Sequence, residues 1–235
     1  MYFPAWPHTK IKEVFPDIFY VTGTNKIDHE GIHLQYSCNM IIIRQGNELS
    51  LINTIRLDDT GLKALDSLGE VRHVLRIGAF HDRHDAFYLD RYPAKLWALK
   101  GMKHAHNHPT DMELTPNEPL PIADSQLFIF ETTTVPEGAI HIARQGGILI
   151  TCDSIKNWVD RDEFFNDETA ALYEQQGFFG EATVSNIWIQ ATQVKHSDFR
   201  HLQSIKFRHL LSAHGEPLKD RAHEALAKTI NELLT

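Results

Sequence analysis

The sequence has only two cysteines in 235 residues, Cys38 and Cys152, and they lie far apart. That excludes a disulfide-stapled scaffold and makes a reducing cytoplasm the expected setting. No apolar run approaches the length that spans a bilayer, so no membrane partner is expected. The opening MYFPAWPHTK holds two prolines and no apolar stretch, and reads as neither a signal peptide nor an anchor. Basic residues are in deficit, 23 Lys and Arg against 31 Asp and Glu, for a net charge of −8. A general nucleic-acid binder needs the opposite balance, because phosphate contacts require a basic surface. Internal repeats and low-complexity tracts are absent as well. What is present is a hydrophobic fraction of 42%, enough to build a globular core. One domain over residues 1–235 is the expectation at this length.

Periodicity orders the chain into strands and helices. Ile18–Thr22 reads as a short strand, and Asn39–Arg44 and Leu49–Thr54 flank a Gln-Gly-Asn-Glu turn as a hairpin. Asp58–Leu68 reads as a helix, with Asp58 or Asp59 as cap and Gly69 as its stop. Val71–Ile77 and Lys95–Leu99 are strands, and the proline- and histidine-rich stretch 101–121 reads as an irregular loop. Three strands follow at Leu127–Glu131, Ala139–Ala143 and Gly147–Thr151. Helices are expected at Glu163–Gln176, Ser197–Ser204 and Asp220–Leu234, with a strand at Phe207–Ser212. Strands and helices mixed in this way fit two packed sheets with helices outside.

Three strand ends carry the residues with chemistry. After Val71–Ile77 comes His81-Asp82-Arg83-His84-Asp85-Ala86; Ile148–Ser154 ends in Cys152-Asp153-Ser154; the last strand runs into Ala213-His214-Gly215-Glu216-Pro217. With Leu51-Ile52-Asn53-Thr54 and the order of elements from about Ile18 onward, the chain resembles the metallo-β-lactamase-fold hydrolases. The resemblance implies an α+β fold, a four-layer αβ/βα sandwich.

It also implies a metal-ligand set that is incomplete here. On the family's His-x-His-x-Asp-His motif, His81 takes the first histidine and Asp85 the aspartate, while Arg83 and Ala86 stand at the other histidines. The family's next histidine falls in Thr133-Thr134-Val135-Pro136-Glu137-Gly138, which has none. Asp153 matches the bridging aspartate and His214 the final histidine. One half-site thus keeps His81 and Asp153, the other Asp85, Asp153 and His214. A two-metal mechanism is not expected from such a set. The expectation is at most one divalent ion (Zn, Fe or Mn), with ligand count favouring none. Arg83, always charged, could turn inward against Asp85 or Asp153 and replace the ion electrostatically.

Around these, His84 and Ser154 join Arg83 as pocket residues. For His84, one residue out of register, a place on the surface or behind the ligands is the plainer reading. His104, His106 and His108 read as solvated loop histidines, and Cys152 as a small buried thiol rather than a nucleophile. Trp158, Phe164, Phe165, Tyr173, Phe178 and Phe179 read as a pocket lining, an oligomer contact or, more plainly, core packing. Two functions follow. One is a hydrolase-like protein with a degenerate metal centre and a small-molecule ligand in the relic pocket. The other is a non-catalytic binding or scaffold protein whose Arg83, Asp85 and Asp153 form a structural cluster.

Overall fold

A computed structural model describes residues 2–29 and 31–233. Four strands open the chain: β1 (Lys12–Phe15), β2 (Ile18–His29), β3 (Ile32–Gln45) and β4 (Glu48–Ile52). Helix α1 (Asp59–Leu68), β5 (Glu70–Arg76), α2 (Asp85–Arg91), β6 (Lys95–Leu99) and β7 (Met112–Leu114) follow. These seven strands form one sheet in sequence order, antiparallel from β1 to β4 and parallel from β4 to β7. The second sheet has β8 (Ser125–Ile129), β9 (Gly138–Ile142), β10 (Ile148–Thr151) and β11 (His209–Ser212), in the order β11-β10-β9-β8. Between β10 and β11 lie α3 (Asp167–Gln175), α4 (Asn186–Thr192) and α5 (His196–Ser204); α6 (Ala222–Leu233) closes the described chain.

The apolar run Met40-Ile41-Ile42-Ile43 shows how the layers arise. Successive side chains of a strand point to opposite faces. Ile41 and Ile43 join Ile140, Ile142, Ile148 and Ile150 in a core between the two sheets. Met40 and Ile42 instead pack with Leu62 and Leu65 of α1 and Tyr88 of α2. On the far side, Leu149 and Leu210 pack with Trp188, Phe199, Leu226 and Ile230 from α4, α5 and α6. Helix, sheet, sheet, helix is the expected four-layer αβ/βα sandwich. Each fully buried Ile or Leu contributes about 1.5–3 kcal/mol, so these central strands anchor whatever their ends carry.

The structure departs from the sequence expectation at several elements. The strand expected at Ile18–Thr22 does not end there but, as β2, runs to His29 and pairs with β3 in unbroken register. Polar residues such as Thr24, Asn25 and Lys26 hid its alternation. Helix α3 starts four residues later than expected from Glu163, because Asn166 caps it by accepting Thr169 N–H. A short parallel strand, β7, interrupts the stretch expected to be loop. The last residue of the expected closing helix, Leu234, lies outside the described residues. Among the described residues, no helix is long and apolar enough to cross a membrane.

Candidate metal centre

The loop after β5 is tied to the start of β9. Ala79 N–H donates to Pro136 O at 3.1 Å and Gly138 N–H to Ile77 O at 2.8 Å. Arg76, buried at the end of β5, donates to the carbonyls of Gly78, Ala79 and Lys103. That arrangement fixes the backbone leading into His81. Asp153 follows β10, whose last carbonyl, Thr151 O, accepts from Asn53 Nδ2 at 2.9 Å. His214 follows β11. Gly215 next to it has φ 86°, and a Cβ there would stand 2.0 Å from Asn157 backbone atoms. Only glycine lets the chain turn so close to its neighbour while presenting His214.

His81, Asp153 and His214 meet. His81 Nε2 lies 3.1 Å from His214 Nε2 and 3.4 Å from Asp153 Oδ2. His214 Nε2 lies 3.2 Å from Asp153 Oδ1. Ligands about 2.0–2.1 Å from a tetrahedral ion stand roughly 3.3–3.4 Å from each other, so the spacing fits one ion. The donor chemistry fits too. His214 Nδ1 faces the Ser37 carbonyl at 3.2 Å and must donate there, which leaves a lone pair on Nε2 of the neutral ring. Burial lowers His214 to a pKa of about 4, against the pull of Asp153, so the ring is neutral near pH 7. A lone pair and a carboxylate then face each other at hydrogen-bond distance, an arrangement that calls for a cation between them. Burial pushes the Asp153 carboxyl up, but the neighbouring His81 and the Lys156 ammonium outweigh it and hold it well below the usual range.

Asp85 is not part of this trio. At the start of α2 its Oδ1 accepts the Thr54 hydroxyl at 2.6 Å, and its Oδ2 has no hydrogen-bond partner among the described residues. Burial raises its pKa to about 6. Of the residues expected around an ion, the structure brings His81, Asp153 and His214 together and leaves Asp85 apart from them.

Arg83 does not pair with Asp85 or Asp153 either. Its Nη1 donates to Lys26 O at 2.6 Å, and its guanidinium stacks 4.6 Å from the Phe3 ring and 5.6 Å from Trp6. The N-terminal aromatics offer it a flat face, so it leaves the carboxylates and lines the outer cleft. The structural cluster of Arg83, Asp85 and Asp153 does not form. His84 is buried against Phe3 and Trp6, at ring distances of 6.4 and 5.9 Å, and not at the trio. Ser154 is fully buried, its N–H donating to Glu137 Oε1 at 2.7 Å. In the segment without the family's histidine, where Thr134 or Val135 stands in its slot, Thr134 bonds to Thr192 O. His104, His106 and His108 go separate ways, to Arg76, the Tyr2 ring and Asp90.

Two buried titratable groups beside the trio escaped the sequence reading. Lys156, buried, places Nζ 3.4 Å from Asp153 Oδ1 and 2.9 Å from Asp153 O. The attraction at that distance is about 5 kcal/mol at an effective dielectric near 20, much of it offset by desolvation. Lys156 is thus the inward cation that Arg83 is not. The signal was its place three residues after Asp153, across one tight turn. Glu137, also buried, is raised to a pKa of about 8 by burial and by the Asp153 charge, so it keeps its proton near pH 7.

Two hollows flank the trio. One, of about 200 Å³, has Lys156, Trp158, Tyr173 and Phe178 in its wall with Asp153 and His214 at its end. The other, of about 600 Å³, opens beside His81 and Asp153 past Arg83. Phe80 and Ile187, both exposed, border the two. The Trp158 and His214 rings lie 4.4 Å apart.

No known family profile matches the sequence, and no curated protein matches it. Solved structures do. The metallo-β-lactamase FIM-1 from Pseudomonas aeruginosa, in a mono-zinc form, aligns over 98% of both chains with TM-score 0.64 and 13% identity. A metallo-β-lactamase from Erythrobacter litoralis aligns over 94% of this chain and 92% of its own, with TM-score 0.59 and 13% identity. One from Pontibacter korlensis covers 94% and 98%, with TM-score 0.59 and 11% identity. Likeness at this level of identity shows the fold.

Proposed function

From a chain with the metallo-β-lactamase fold, we propose a hydrolase of small molecules that works through a single divalent ion held by His81, Asp153 and His214. The observation that carries this reading is the convergence of three ligand atoms from three strand ends at tetrahedral spacing. Three protein ligands that leave one position open are a catalytic pattern. Two neutral imidazoles and one carboxylate would leave a divalent ion with one net positive charge, more than the pair of carboxylates in the sequence expectation. A bound ion would supply Lewis acidity to the substrate and to water.

The protein's own groups set the rest. Ser37 fixes the His214 tautomer through its carbonyl. Trp158, Tyr173 and Phe178 keep water from one side, and Lys156 offers a positive charge to an anionic substrate group in the same hollow. The ligand that suits this wall has a flat or apolar body and one negative group. Cys38 and Cys152 are free and buried, which supports a reducing, cytoplasmic setting.

A second reading, binding without catalysis, is favoured by one observation. Lys156 already neutralises Asp153, so the site has a stable state that uses no ion. Metal content separates the two. Untagged protein should carry about one equivalent of Zn, Fe or Mn and hydrolyse small esters, thioesters or lactams. His81→Ala and His214→Ala should lose both metal and turnover. Purified protein that takes up no metal at micromolar concentrations and turns over none of these substrates would leave the binding reading in its place.

A further inference from the structure

We propose that Lys156 is an internal competitor of the metal ion for Asp153, and so sets the metal affinity of the site. The inference rests on reading His81, Asp153 and His214 as the metal ligands. Lys156 Nζ and His214 Nε2 address the same carboxylate oxygen, Asp153 Oδ1, at 3.4 and 3.2 Å. An ion seated between His81, His214 and Asp153 would draw on that one negative charge, and the ammonium already uses it. Both positive charges would then share a single carboxylate inside a mostly buried pocket, where screening is weak.

Lys156 has little room to retreat. Its residue is 5% exposed. Its backbone is paired with Thr183 in both directions, Lys156 N–H to Thr183 O at 2.9 Å and Thr183 N–H to Lys156 O at 2.7 Å. Its ammonium is held by Asp153 O at 2.9 Å and lies 5.6 Å from the centre of the Phe178 ring. Among the described residues, Asp153 is its one ion-pair partner. Asp85 remains bonded to Thr54 on another wall and joins neither cation. Glu137 is the other acid behind the site, and its Oε1 is engaged by Ser154 N–H.

The charge is what competes, so neutral replacements should bind metal more tightly and a charged one should not. The probe is zinc alone, measured by equilibrium dialysis with elemental analysis. Tryptophan emission, with the Trp158 ring 4.4 Å from that of His214, gives a second readout on separate titration with cobalt. Lys156→Gln can still donate to Asp153 O and keeps most of the volume, so it carries the test if Lys156→Met folds poorly. Both variants should bind zinc at least about tenfold more tightly than the unmodified chain. Lys156→Arg should stay within about threefold, because it retains the charge. Equal or weaker zinc binding by Lys156→Gln overturns this inference and leaves the three-ligand site standing. Zinc binding that His81→Ala and His214→Ala do not weaken, in either the unmodified or the Lys156→Gln background, overturns both.

Discussion

Asp85 and His84 are neighbours in the chain whose burial acts on stability in opposite directions of pH. Asp85 has a folded pKa raised from 3.8 to about 6. Its contribution is intact below pH 3.8 and lost as pH rises through about 6, so ionised Asp85 costs stability at neutral pH. Asparagine mimics the protonated form and can still accept from Thr54. Asp85→Asn should therefore raise stability at pH 7.5 by about 1–3 kcal/mol, and not at pH 4, as read by urea denaturation. His84 is lowered from 6.5 to about 3 by burial and by the charges of Arg83 and Arg56. Its neutral ring contributes fully above pH 6.5, and that contribution is lost as pH falls toward 3. His84→Phe keeps a ring beneath Phe3 and Trp6 and removes the titration. The loss of stability between pH 6.5 and about 5 should shrink by about 2 kcal/mol, with His214 still titrating in the variant. From the sequence, His81, Asp153 and His214 were legible because each follows a strong strand. The direction of Arg83 was not, since it depends on Phe3 and Trp6, which are remote in sequence. Lys156 carried a local signal, three residues after Asp153, but its inward direction depends on the backbone pairing with Thr183, which is remote in sequence.

Among the elements, the long hairpin of β2 and β3 shows what holds a polar ribbon in place. Its outer half has few apolar residues, and α3 secures it. Gln35 N–H donates to Thr169 Oγ1 at 2.8 Å, and Asn166 Nδ2 donates to His33 O at 3.1 Å. Asn166 also caps α3. Asn166→Ala should cost about 1–2 kcal/mol, combining a lost cap with a lost tether. Hydrogen exchange should rise at residues 31–36 and 167–170, while β4 and β5 stay protected. Elements with both faces buried, such as β3 over residues 40–43, were plain in the sequence because apolar side chains fill both sides. Helices α2 and α4 were not, since seven residues are too few for a helical period to stand out. Their positions come from packing, Tyr88 against the first sheet and Trp188 against the second.

At the scale of the molecule, three apolar layers hold the sandwich, and none of them needs an ion. Chelation should thus leave far-UV circular dichroism unchanged. It should lower the free energy of unfolding, and with it the midpoint, by the linkage relation, about 2.7 kcal/mol for a metal held at a hundred times its dissociation constant. A chelator that melted the secondary structure would assign the metal a structural role that the packing does not predict. The numbers 81, 153 and 214 carry one more implication, for the time course of folding. Each ligand stands at the end of a different strand, with well over half the described chain between the first and the last. No early intermediate with only local structure can hold all three, because the loops between them close only when both sheets have met. A metal that binds this site therefore arrives after the rate-limiting barrier. Zinc added to refolding protein should leave the folding rate as it was and slow unfolding alone, so that its effect appears in one arm of the chevron.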